Sequence, residues 1–226
     1  MAVAAARLSG SPSSPKGDLV TTTLPDLAIG RMLLPTQAPV IDRNATMVAA
    51  AQLLAALGVD EDTEIGLNTP RRVADAFVQL LSQDPWEFTT FPNDSGQHEV
   101  VVIDGIEFTS VCGHHLLPFS GVAAVGYRPA DLLPGLSKIA RTVEMFAARL
   151  QTQESLGQQI ARFVQERLGC AGVGVVLRAE HTCMTCRGVR ARGSSTITVA
   201  TTGMLQADAG ARAEFLRLTS MPRCAA

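Results

Sequence analysis

The chain has no excess of positive charge: 19 Lys and Arg against 21 Asp and Glu leave a formal net charge of −2, which excludes a general nucleic-acid binder. It has no apolar run approaching the roughly 20 residues that cross a bilayer, and no signal-peptide apolar segment near Met1. Nor does it have a disulfide framework. Its five cysteines are odd in number, and three of them, Cys112, Cys183 and Cys186, lie beside histidines, a usage that fits a reducing compartment. A cytoplasmic protein without membrane or nucleic-acid partners is expected. No internal repeat is visible, and residues 1–40 hold no aromatic side chain and are rich in Ala, Ser, Pro and Gly. Such a composition cannot bury enough apolar area to offset the entropy of ordering, so a flexible N-terminal tail is expected over 1–40 and a single folded domain over 41–226. The Ser/Ala/Arg opening of the tail also resembles a transit peptide.

Within the folded part, Met47, Ala50, Leu54 and Leu57 share one face of a helix expected from about Thr46 to Leu57, with Gly58 as its stop. Thr69-Pro70 reads as cap and first-turn proline of a second helix, with Val73, Phe77, Leu80 and Leu81 inward. Strand signals follow at Val100 to Phe108, broken by an Asp104-Gly105 turn, and at Gly121 to Tyr127. Two helical patterns, Ser137 to Leu150 and Gln153 to Leu168, precede strands at Gly172 to His181 and Ser195 to Met204 and a short helix near Ala211 to Leu218. This order predicts an α+β domain in which an antiparallel sheet carries a helix pair.

Chemistry concentrates in two short stretches. Val111-Cys112-Gly113-His114-His115 and His181-Thr182-Cys183-Met184-Thr185-Cys186-Arg187 hold three of the four histidines and three of the five cysteines. Thiolate with imidazole selects zinc, which takes four protein ligands in structural sites and three plus water in catalytic ones. A catalytic zinc site is expected. Cys186 adds a C-x-x-C spacing with Cys183, which suits a closed zinc site, a redox pair or a small buried residue, the last being preferred. Zinc nucleoside deaminases also use C-x-x-C, but their H-x-E partner is absent.

The start of the third helix runs against helix electrostatics. Lys138 and Arg141 sit beside Ser137 at the positive end of the macrodipole, where acidic side chains are preferred, and a bound anion would reverse that cost. With Ser137 as cap, a point-charge Lys and a forked Arg, the turn reads either as a phosphate site or as two solvated cations. Gln153-Glu154 opens the next helix; a carboxylate there satisfies the dipole, and it can also accept hydrogen bonds from the N–H edge of a heterocycle.

Taken in order, Thr69-Pro70-Arg71-Arg72-Val73-Ala74, Cys112-Gly113-His114-His115, Gly135-Leu136-Ser137-Lys138-Ile139-Ala140-Arg141, Gln151-Thr152-Gln153-Glu154 and His181-Thr182-Cys183-Met184 through Arg187-Gly188 resemble GTP cyclohydrolase I. The similarity spans about Ala45 to Leu218. It implies the T-fold (tunnelling fold), in which subunits join their sheets into a barrel, usually as a homodecamer with active sites at subunit interfaces. It further implies that Cys112, His115 and Cys183 bind zinc, that His114 and His181 are the acid-base histidines, that Ser137, Lys138, Arg141 and Arg187 hold the GTP triphosphate, and that Gln153 and Glu154 read the guanine edge. Arg72 would reach the phosphates from a neighbouring subunit or serve as a surface arginine. The implied reaction begins with zinc-activated water attacking C8 of the purine while His181 protonates N7. Loss of formate, rearrangement of the ribose and reclosure then give 7,8-dihydroneopterin triphosphate, the entry to pterin and tetrahydrofolate biosynthesis.

Three positions depart from the family: Gly113 stands in place of Glu, Leu150 in place of Pro, and Ser155 in place of Arg. Loss of the carboxylate beside the metal ligands also suits an alternative, a degenerate paralogue that binds GTP or a pterin as a sensor or assembly subunit, or that stops after ring opening.

Overall fold

A computed structural model describes residues 40–221 of the chain. The tail expected over 1–40 lies outside the described residues apart from Val40. Helix α1 (Arg43–Ala56) begins earlier than its apolar spacing predicts, because Asp42 acts as cap and its carboxylate accepts from the amide of Ala45 at 2.9 Å. Helix α2 (Glu64–Leu81) corrects the expected Thr69-Pro70 start: the cap is Thr63, whose hydroxyl accepts from Gly66 at 3.1 Å, and Pro70 sits inside the helix, buried. Arg43 on α1 meets Asp75 on α2 at 2.6 Å and ties the two helices together.

A bulge, rather than a turn, occupies Asp104-Gly105. Strand β2 (Val101–Cys112) pairs antiparallel with β3 (Pro118–Arg128), with Ile103 opposite Val125 and Ile106 opposite Ala123, so two residues of β2 face one of β3. Gly105 takes φ +76° to make this bulge, and β2 runs on to Cys112 instead of ending at Phe108. Short strands β1 (Thr90–Pro92) and β4 (Leu132–Pro134) form a separate antiparallel pair. Helix α3 (Leu136–Ala147) stops before Leu150, which joins strand β5 (Leu150–Gln151) parallel to the end of β2. Helix α4 (Gln153–Leu168), capped by Thr152 and closed by Gly169 in the left-handed region, leads to β6 (Gly172–His181), α5 (Thr182–Thr185) and β7 (Thr196–Thr202). Met204, expected in the last strand, belongs to helix α6 (Gly203–Ala207), and α7 (Ala209–Leu218) ends the domain.

The main sheet has the order β5-β2-β3-β6-β7, antiparallel except for β5. Alternate residues of β3 and β6, among them Val125, Tyr127, Val173, Val175 and Leu177, face the core with Ile139, Val143 and Phe146 of α3 and Leu156, Ile160 and Val164 of α4. This is the α+β sheet with helix pair that the sequence predicts. On the other face Gly126 and Gly174 are cross-strand partners, and a Cβ on either would stand 2.7 or 2.5 Å from the ring of Phe215 in α7. Only glycine leaves that slot open, and the ring fills it with no exposed surface, which stabilises the domain by about 2–3 kcal/mol.

Candidate active site

Sheet register brings the two chemistry-bearing stretches together. Val111 pairs with Pro118 across β2 and β3, and Phe119 pairs with His181 across β3 and β6, so the turn after β2 and the helix after β6 emerge at the same sheet end. Cys112 is also the partner of Gln151 in β5, which places the first turn of α4 there too. The Thr182 hydroxyl donates to the Pro118 carbonyl at 2.6 Å and fixes α5 against the start of β3.

At this end Cys112, His115 and Cys183 each aim one ligand atom so that all three lie within 4.8 Å of one another. The tight turn 112–117 makes this reach achievable: the amides of Cys112 and Leu116 bond to the carbonyls of Leu117 and Cys112, both at 2.9 Å, and Leu116 accepts φ +55°, a strained value for its side chain. Cys112 is buried, Cys183 half-buried and His115 exposed, so the cluster opens to solvent on one side. Burial, reinforced by the neighbouring Cys112, raises the Cys183 thiol above its ordinary range. A dication between the sulfurs would reverse that preference, since thiolates are the ligating form. Two sulfurs and one imidazole nitrogen are a donor set that fits zinc, with one tetrahedral position left over. Cys186, preferred from sequence as a small buried residue, is instead exposed at the C-cap of α5 and stands outside the three-residue group.

Around the cluster, the Sγ of Cys112 lies 3.9 Å from the Nδ1 of both His114 and His115, and a guanidinium nitrogen of Arg187 lies 3.5 Å from the Nε2 of His115. His181 stacks on Phe119, with ring centroids 4.6 Å apart, and its Nε2 is 2.8 Å from the amide oxygen of Gln153. Burial pushes its imidazole below the usual histidine range, partly opposed by the charge of Glu154. The side chain of Gln153 is enclosed, only 1% exposed, and its nitrogen donates to the carbonyls of Leu177 and Thr196 and reaches the Thr198 hydroxyl, at 3.0–3.1 Å. Gln153 and Glu154 are neighbours at the start of α4. The burial pattern separates them, because Glu154 is exposed.

The start of α3 differs from expectation in its cap. Gly135 holds the cap position with no side-chain hydrogen bond, and Ser137 is the second helical residue, exposed like Arg141 one turn further on. No acidic residue occupies the first turn, so the positive end of the macrodipole is uncompensated by α3's own side chains. Arg72 pairs with Glu64 along α2 at 2.9 Å, and both side chains are exposed.

The chain is 44% identical over 182 residues to a protein of Dehalococcoides mccartyi named GTP cyclohydrolase 1, covering 78% of this chain and 96% of that relative. It is 44% identical over 190 residues to a protein of the same name from Brucella anthropi, covering 82% and 86%, and 41% identical over 182 residues to another from Acetivibrio thermocellus, covering 79% and 97%. The sequence pattern that defines GTP cyclohydrolase I matches residues 46–220, from the first helix through the end of the last. With this pattern matched over residues 46–220 and these relatives 41–44% identical over most of their length, the chain belongs to the GTP cyclohydrolase I family.

Proposed function

We propose that the chain converts GTP and water to 7,8-dihydroneopterin triphosphate and formate, as the first step of pterin and tetrahydrofolate biosynthesis in the cytoplasm. The convergence of Cys112, His115 and Cys183 within 4.8 Å at the sheet end carries this reading, because it supplies three protein ligands and leaves one position open. These residues would hold zinc, which when bound supplies Lewis acidity at neutral pH. His181, backed by Gln153 and Phe119, would deliver a proton to N7 of the purine as water adds at C8, and His114, exposed beside Cys112, would carry the second proton. Ser137, Lys138, Arg141 and Arg187 would hold the triphosphate and Glu154 the guanine edge. This reading also includes Arg72 reaching the phosphates of a neighbouring subunit in a homodecamer built by edge-to-edge pairing of sheets. In support, β7 is the edge strand of its sheet and presents Ile197 and Val199 half-exposed, at 50% and 49%.

Zinc-loaded protein incubated with GTP should release one formate per turnover and yield a fluorescent pterin after oxidation. His181→Ala should keep its zinc and its GTP affinity while ring opening falls by roughly 10² to 10⁴-fold, the usual worth of general acid-base catalysis. GTP bound without formate release by the unmodified protein would overturn the assignment in favour of a sensor or assembly subunit.

A further inference from the structure

Gln153 is built to do something other than meet a substrate. Its amide nitrogen has two backbone carbonyl oxygens, of Leu177 and Thr196, at 3.0 and 3.1 Å, with the Thr198 hydroxyl also at 3.1 Å. Carbonyl oxygens only accept, so the end of the amide facing β6 and β7 must be the nitrogen. Turning the amide over would set its oxygen against two carbonyls and leave three buried acceptors facing one another. The oxygen is therefore committed to the opposite side, where it lies 2.8 Å from Nε2 of His181. An amide oxygen also only accepts, so the hydrogen in that contact belongs to the imidazole. Phe119, stacked 4° from parallel with the ring, keeps the imidazole from tilting out of this line.

We propose that Gln153 is a positioning residue that locks neutral His181 in the Nε2–H tautomer, leaving Nδ1 as the single atom through which His181 exchanges protons with a substrate. Among the described residues Nδ1 has no hydrogen-bond partner, as that role requires. This rests on the proposed reaction for its catalytic meaning, but the tautomer itself is a property of the resting protein. It moves Gln153 out of the guanine-reading set and leaves that task to Glu154, which is exposed at the same helix start.

The test uses full-length zinc-loaded protein with ¹⁵N-labelled histidine, in which long-range proton–nitrogen spectra distinguish a protonated from an unprotonated ring nitrogen. His181, assigned by its absence in His181→Ala, should show a pyrrole-like Nε2 and a pyridine-like Nδ1 under conditions where the ring is neutral. A pyrrole-like Nδ1 in the unmodified protein would overturn the proposal whatever reaction the protein catalyses. Gln153→Met, which removes the acceptor but keeps the length, should give a mixture of tautomers. Its kcat should fall roughly 10 to 100-fold, the usual effect of losing a residue that orients a functional histidine, with KM for GTP within twofold. If instead KM rises tenfold or more and the tautomer is unchanged, Gln153 reads the base and the proposal fails. Thr198→Val, which alters a partner of Gln153 rather than of His181, should leave the tautomer pure, because the two backbone carbonyls still orient the amide.

Discussion

The imidazole of His181 lies flat on the ring of Phe119, 4.6 Å between centroids and 4° between planes, and the two residues are also direct partners across β3 and β6. The proposed proton carrier is thus mounted on a core side chain that is itself 1% exposed. Phe119→Leu keeps an apolar group there but removes the flat face. It should cost about 1–2 kcal/mol in stability, as imperfectly repacked core substitutions do, and lower kcat more than it raises KM. Thermal melting and steady-state rates measure both; an unchanged kcat would mean that the stack does not hold the ring for chemistry.

Metal content separates the two cysteines of the C-x-x-C pair. Cys183→Ser should lose most of its zinc, whereas Cys186→Ser, altered at an exposed helix cap outside the three-donor cluster, should retain one zinc per subunit. Metal analysis after dialysis against a weak chelator reads this directly. Equal losses from both variants would require a closed four-ligand site instead.

Arg141→Ala should weaken GTP far more than guanosine, by roughly tenfold or more, because a guanidinium–phosphate hydrogen bond is charge-assisted and has no counterpart in the nucleoside. Stability without ligand should hold or rise slightly, since the substitution removes a cation near the uncompensated positive end of α3. Calorimetric titration with each ligand and a melting curve check the two halves. Equal weakening would make Arg141 an ordinary solvated side chain.

Gly113 holds no conformation that demands glycine, and a Cβ there would meet its nearest neighbour, the Gln151 amide, at an ordinary 3.5 Å. Gly113→Glu should therefore fold normally and, by returning a carboxylate beside the cluster, tighten zinc binding. Competition against a metal indicator measures the change. Weaker zinc binding in a folded variant would count against a cluster that gains from nearby negative charge.

The α1–α2 pair should respond to acid. The Asp75 carboxyl is held below the usual carboxylate range first by its hydrogen bond to Arg43, so its folded value is depressed and the stability it contributes is present above the unfolded value. That contribution is constant at neutral pH and is lost as pH falls below about 4, through the folded value. Arg43 is exposed and Asp75 half-exposed, so the effect is small and screened by salt. Amide exchange in α1 should accelerate in Asp75→Asn at pH 7 and match the unmodified protein at pH 3. A difference that persists in acid would assign the pairing to something other than charge.

Much of this architecture was legible because its signals were redundant. The helix pair α3 and α4 announces itself through long apolar periodicity, and the sheet end that gathers Cys112, His115 and Cys183 through rare residue types at short spacing. Other features share one local signal between two structures. Asp104-Gly105 serves a hairpin turn or a bulge equally well, and only the continuation of β3 opposite Ile106 and Phe108 decides for the bulge. Pro70 is a familiar first-turn residue, yet Thr63, seven residues earlier, captures the helix start. Gln153 could not be separated from Glu154 by sequence, since what distinguishes it is a set of carbonyls contributed by β6 and β7, 24 to 43 residues downstream.

The glycine pair at 126 and 174 has an effect at the scale of the whole sheet. By admitting Phe215, it lets the chain shutter one end of its outer face with its own last helix, while at β7 Ile197 and Val199 are left half-bare on the outermost strand. The outer face is thereby divided into a portion covered by the chain itself and a portion left open to solvent. A bulky residue at position 126 or 174 would push the Phe215 ring out of its slot and bare the outer face over β3 and β6 as well.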